Sequence, residues 1–163
     1  MVIRFLSQHG YYFFLAVGAA AMLALMVWRR KRYSLYVAQA FLYTLLLLIT
    51  GIAGAKILFF FESGLTSFSG MSFFGAVYLV LLVMPLIGLV FRMKPMDSLD
   101  ACAPCVAAIV GFQRFGCYCA GCCGGIPLGE SGAVWPTQLM EGFGDMVILC
   151  FLLAMERRET NRG

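Results

Sequence analysis

The sequence predicts an all-α, polytopic integral membrane protein with about five transmembrane helices, its N-terminus outside and its C-terminus inside. Three observations carry this prediction. The 163 residues are 62% hydrophobic and only 12% charged, too few polar groups to cover a soluble domain of that size. The apolar residues run continuously over segments that reach the roughly 17–25 residues a bilayer crossing needs, and their lack of alternation excludes a β-barrel. The basic residues collect in short loops, as topology signals do, so the net charge of +4 does not point to nucleic acid.

The first span is expected from about Tyr11 to Trp28, where the basic run Arg29-Arg30-Lys31-Arg32 stops it. That run follows the apolar stretch and no basic start precedes it, so an uncleaved span fits better than a signal peptide. The second span runs from about Leu35 to Phe61, with Gly51, Gly54 and Lys56 in its second half. A Ser- and Gly-rich turn covers Glu62 to Gly70. The third span, Met71 to Phe91, contains Pro85 as a candidate kink. Arg92 to Asp100 reads as a charged loop, Ala101 to Cys119 as the fourth span, and Gly121 to Trp135 as a Gly-rich loop without helix. The fifth span runs from about Pro136 to Ala154, and Glu156 to Gly163 reads as a polar tail. No internal repeat is visible, and residues 1–163 read as one transmembrane domain.

With the Arg29–Arg32 run in the cytoplasm, Arg92, Lys94, Arg157, Arg158 and Arg162 also fall inside. Arg4, Lys56 and Arg114 are left for the outer half. Lys56, Glu62, Arg114, Glu141 and Asp145 thus share one depth near the outer leaflet, with Cys117, Cys119, Cys122 and Cys123 beside them. Ionisable groups at such a depth are costly facing lipid and are expected to face a protein interior or a wet cavity.

The stretch Gln113-Arg114-Phe115-Gly116-Cys117-Tyr118-Cys119-Ala120-Gly121-Cys122-Cys123-Gly124-Gly125 holds most of the candidate chemistry. Arg114 carries a permanent charge and a planar fork of donors suited to phosphate; in an outer-leaflet pocket the natural anion is a phospholipid headgroup. Gly116 and Gly121 would let a headgroup approach the backbone. The plainer alternative is an ion pair of Arg114 with Glu141 or Glu62, or snorkelling to the interface. Lys56 is a second candidate phosphate contact or, equally, a snorkelling lysine. The four clustered thiols leave several readings open: a soft-metal site of Cys117, Cys119, Cys122 and Cys123, disulfide exchange, a nucleophilic thiol activated by Arg114 or Lys56, or small apolar packing residues. Packing is the reading for Cys102, Cys105 and Cys150. Pro136 and Thr137 read as a helix start, with Thr137 as a cap. Glu141 then falls in the first turns, where the helix dipole favours a carboxylate. His9 reads as an interfacial polar residue.

Three segments in this order resemble the prolipoprotein diacylglyceryl transferase family. Gly54-Ala55-Lys56-Ile57-Leu58-Phe59 is similar to a Gly-Gly/Ala-Arg-Leu segment of that family, and Gly70-Met71-Ser72-Phe73-Phe74-Gly75 to a Gly-Met-Ser-Phe-His-Gly segment. The Arg114 signature, followed by Pro136-Thr137-Gln138-Leu139-Met140-Glu141, is similar to Gly-Arg-x-Gly-Asn and the later His-Pro-Ser-Gln-Leu-Tyr-Glu. The resemblance covers about residues 35–141. Phe74, Cys117, Cys122 and Trp135 stand where the family pattern has histidine, asparagine, a carboxylate and histidine. The family's C-terminal section, with a further helix and a second arginine, and its large periplasmic insertion find no counterpart.

The resemblance implies an enzyme of the bacterial cytoplasmic membrane, its site facing the outer leaflet. It would move a lipid-derived group from a phospholipid such as phosphatidylglycerol to a thiol on an acceptor protein, without a cofactor. Arg114, Cys117, Cys122, Cys123 and Glu141 are then the candidate catalytic residues. Lys56, Gly75, Gly116, Gly121 and Gln138 are the candidate substrate contacts. The alternatives are a non-enzymatic lipid- or metal-binding protein of the same fold and a membrane thiol–disulfide protein. Five spans with an open wall point to a homo-oligomer.

Overall fold

A computed structural model describes residues 2–67, 70–128 and 133–160. The element order is α1 (Val2–Arg29), a 3-10 turn (Arg30–Tyr33), α2 (Val37–Glu62), α3 (Phe73–Val90), α4 (Pro95–Ala120), a two-residue antiparallel pair β1 (Pro127–Leu128) and β2 (Ala133–Val134), and α5 (Thr137–Thr160). Among the described residues, five helices are long and apolar enough to cross a membrane, as the composition predicts.

Three boundaries differ from the sequence reading, the first being the start of α1, at Val2 and not at about Tyr11. Residues 95–100, expected as loop, are the first turns of α4. Pro95 suits the first helical position because it has no N–H to leave unbonded, and Asp97 complements the positive end of the helix dipole. The fifth helix continues through the expected tail to Thr160, with Arg157 and Arg158 in its last turn where cations are favoured.

The chain forms two compact units, Met26–Cys102 and a second made of Met1–Leu25 with Ala103–Gly163. In the first, α2 packs on α3 through glycines. A Cβ added at Gly75 would collide with the Gly54 carbonyl and come within 2.6 Å of Leu58 Cβ. Only small residues permit that approach between apolar helices. Ser72 fixes the start of α3 on α2: its N–H donates to the Ala55 carbonyl at 3.0 Å and its hydroxyl to Glu62 Oε1 at 3.1 Å. Buried polar groups find partners here. The Tyr43 and Ser98 hydroxyls are 2.7 Å apart, and Ser98 donates to the Met84 carbonyl at 3.2 Å.

Arg29 is the residue of this unit that the sequence reading placed least well. Read as part of a cytoplasmic charge run, it is instead buried, only 6% exposed. It donates from Nη1 to the Ala101 carbonyl at 2.9 Å, and from Nη2 to the Asp100 carbonyl at 2.9 Å and the Tyr33 hydroxyl at 2.8 Å. The reason lies in α4. The Asp100 carbonyl would receive the N–H of residue 104, but residue 104 is a proline inside the helix and has none. The guanidinium supplies the missing donor.

In the second unit, α4 packs on α1 and on α5. Gly10 meets Cys119, Gly18 meets Ile109 and Phe112, and Gly116 meets Tyr11 and Phe14 along the α1 side. Gln113 Nε2 donates to the Tyr11 hydroxyl at 3.2 Å, and the Cys105 thiol to the Met22 carbonyl at 3.7 Å. Along the α5 side, Gly111 and Gly142 bring the backbones together. A Cβ on Gly142 would sit 3.2 Å from the Gly111 carbonyl, and one on Gly111 would sit 3.1 Å from Asp145 Cβ. The Phe115 and Phe143 rings pack edge to face at 5.4 Å between centroids. The far side of α5, with Met140, Val147 and Phe151, is exposed, as a lipid-facing surface should be.

Candidate functional site

Close contact at Gly111 and Gly142 sets the site's first pair. Arg114 lies one turn beyond Gly111 on α4, and Glu141 directly precedes Gly142 on α5. Their side chains meet, Arg114 Nε to Glu141 Oε2 at 2.7 Å. Of the readings the sequence left open for Arg114, which were a phosphate contact, an ion pair with Glu141 or Glu62, and snorkelling, the ion pair with Glu141 is present. It is not sealed: the Arg114 side chain is 25% exposed and that of Glu141 51%. Asp145, one turn along α5 from Glu141, lies within the electrostatic reach of both.

The loop beyond α4 is built by the way that helix ends. Gly121 has φ +67°, the left-handed conformation that glycine adopts without steric penalty. The Cys122 N–H donates to the Cys117 carbonyl and the Gly121 N–H to the Tyr118 carbonyl, both at 3.1 Å. This is a Schellman ending, which folds the residue after the glycine back over the last turn. Cys122 therefore returns to Cys117, and its thiol reaches the Cys117 carbonyl at 3.7 Å. Cys123 also has a positive φ, +59°, uncommon for a residue with a Cβ. The first turn of α5 holds the loop in place. Buried Gln138 donates from Nε2 to the Cys122 carbonyl at 2.6 Å, and Thr137 donates to the Cys123 carbonyl at 3.3 Å. Thr137, expected to cap α5, is instead its first helical residue and serves the loop.

Three of the four clustered thiols come together. The sulfurs of Cys117, Cys122 and Cys123 all lie within 4.8 Å of one another. Cys117 is buried at the base, and Cys122 and Cys123 are exposed. Cys119 stands two positions from Cys117, about 200° around the helix, and packs on Gly10 of α1 instead. Protein atoms around the Cys123 sulfur push its thiol above the usual range. Cys122 pushes the same way, and the Arg114 charge pulls against both.

The glycines divide by role. Gly121 has open space around it. A Cβ on Gly116 would lie 3.1 Å from the Tyr11 carbonyl and 3.2 Å from Phe14 Cβ, so α1 occupies the space expected for a headgroup. Gly75 faces Gly54, and Lys56 is a half-buried residue of α2; both belong to the other unit. The sequence reading missed Gly111 and Gly142, which set the separation of α4 and α5. Their signal was present, a glycine on each of two apolar helices near the charged pair.

Spanning helices, a partly exposed charged pair and a glycine-ended thiol loop define a polytopic membrane protein with a polar site at one helix end. The family model described as prolipoprotein diacylglyceryl transferase matches residues 1–163, reaching past the 35–141 that carry the motifs. The chain belongs to that family and is an integral membrane protein of the transferase type. A relative from Clostridium perfringens, phosphatidylglycerol–prolipoprotein diacylglyceryl transferase 2, is 25% identical over 183 residues, which cover 97% of this chain and 72% of the relative.

Proposed function

We propose that this protein transfers a diacylglyceryl group from an anionic phospholipid, phosphatidylglycerol by preference, to a cysteine thiol of an acceptor protein in the bacterial cytoplasmic membrane. The observation that carries the reading is the Arg114–Glu141 pair, close at 2.7 Å yet partly open, in a chain of this family. Arg114 binds the lipid phosphate and Glu141 fixes the plane of the guanidinium fork. In the transfer, the acceptor sulfur bonds to the glyceryl carbon that carries the phosphate oxygen. That C–O bond breaks, glycerol phosphate leaves, and the thiol proton passes to water at the membrane surface. Negative charge grows on the departing phosphate oxygens, where a fixed guanidinium stabilises it most. The site faces the outer leaflet, as the charge distribution predicts.

The test is transfer from labelled phosphatidylglycerol vesicles to a thiol peptide of lipoprotein-precursor type. Arg114→Lys keeps the charge but loses the fork, and the rate is expected to fall about 100-fold, the scale of losing one transition-state donor. Transfer that persists in Arg114→Ala would overturn the assignment.

A further inference from the structure

We propose that Cys117, Cys122 and Cys123 form a three-thiolate binding site for a soft monovalent cation, Cu(I), separate from the lipid chemistry. The proposal does not depend on the transferase reading. It rests on how the chain ends α4 and what that ending brings together.

The Schellman turn at Gly121 places Cys122 over Cys117, the position this motif normally gives to an apolar contact. A second thiol is therefore set on the first by backbone geometry, not by side-chain flexibility. Cys123 completes the group from a left-handed conformation, φ +59°. A residue with a Cβ is uncommon in that conformation, and such positions gather at functional sites. Gln138 and Thr137 fix the carbonyls of both loop cysteines, so the thiols converge on a supported backbone. Their sulfurs lie within 4.8 Å. Two sulfurs on one ion at about 2.3 Å stand roughly 3.8 Å apart, so closure takes an ångström or less, within the reach of the exposed Cys122 and Cys123 side chains.

The donor set selects the ion. All three donors are sulfur, and among the described residues no His, Asp or Glu joins the group. Thiolates favour soft ions such as Cu(I) and zinc. Zinc completes a tetrahedron and needs a fourth ligand, whereas three thiolates satisfy a cuprous ion. Cys119, the fourth thiol of the sequence cluster, packs on α1 at Gly10. A cuprous ion on three thiolates leaves a net charge of −2, and Arg114 is close enough to act on Cys123. Binding releases the three thiol protons to solvent, and no electron is exchanged. The exposed pair above a buried Cys117 gives the ion an entry path.

The purified, reduced protein is titrated anaerobically with Cu(I) against bicinchoninate, and stoichiometry is read by native mass spectrometry. One Cu(I) per chain is expected in the wild type, in Cys119→Ser and in Cys150→Ser. Cys117→Ser and the double variant Cys122→Ser/Cys123→Ser should lose at least about 100-fold in affinity, beyond what outer-sphere changes cost. Independently of any variant, Cu(I) should shield Cys117, Cys122 and Cys123 of the wild type from maleimide while Cys119 and Cys150 keep their reactivity. Three results would each overturn the site: no retained copper, full affinity in the double variant, or zinc displacing Cu(I) at equal concentration. Lipid transfer is scored separately, so loss of one activity says nothing of the other.

Discussion

At the scale of single residues, Arg29 shows how a defect three helices further along the chain can fix a side chain. Pro104 leaves the Asp100 carbonyl without its intrahelical donor, and Arg29 Nη2 fills that place at 2.9 Å. Replacing Arg29 by Met should cost about 1–3 kcal/mol, since it leaves the buried Asp100 carbonyl without a donor. Pro104→Ala restores an N–H at the right position, so in that background Arg29→Met should cost roughly 1 kcal/mol less. Thermal unfolding of the four proteins in one detergent measures the coupling, and a coupling of zero would refute the explanation. None of this was legible from the basic run itself: Arg29 looks like its neighbours until the proline one turn past Asp100 is placed. The Arg114–Glu141 pair was legible as one of several readings of Arg114, beside a phosphate contact, a pair with Glu62 and snorkelling. Cys119 could have been separated from Cys117 on helical period alone, since span 4 was read as helix to Cys119.

At the scale of helices, glycines set the separations on which the site depends. Gly111 and Gly142 hold α4 against α5, and the charged pair stands next to them. A leucine at Gly111 would have to displace Met146, whose Cε lies 2.5 Å from a Cβ built there, together with Asp145. Overpacking of this kind costs about 1–3 kcal/mol. It should also part Arg114 from Glu141, lowering lipid transfer by more than the same substitution at Gly144, where a Cβ meets nothing within 4 Å. Equal losses at both glycines, measured as initial transfer rates at matched folded fraction, would count against that link. The five helices themselves were legible because continuous apolar runs of this length have few other structures open to them. The ends were less so: residues 95–100 and 156–160 read as loop and tail because they are polar, yet Asp97 in the first turn of α4 and Arg157 and Arg158 in the last turn of α5 sit where the helix dipole welcomes their charge. Gly116 was read as an opening for a ligand, but a glycine on an apolar helix equally admits a second helix, and here α1 takes the place.

For the molecule as a whole, the distribution of basic residues predicts an orientation that can be read in cells. With Arg29–Arg32 inside, a C-terminal reporter should be active only in the cytoplasm. A membrane-impermeant maleimide added outside should label Cys122 and Cys123 and leave a Cys122→Ser/Cys123→Ser variant largely unlabelled. Labelling of these two cysteines only after lysis would reverse the proposed topology and move the site to the inner leaflet. The family was legible from three short segments in order; the thiols standing where the family pattern has other groups made the site harder to read, because their arrangement depends on a turn that composition does not reveal.

Arg29 and its carbonyl partner on Asp100 are separated by 71 positions in the chain. In a protein made from its N-terminus and inserted helix by helix, the guanidinium enters the membrane well before the proline gap it will fill has been synthesised. A chain interrupted before Asp100 therefore carries a cation whose two carbonyl acceptors on α4 do not yet exist, held by the Tyr33 hydroxyl but not yet by the helix it will complete.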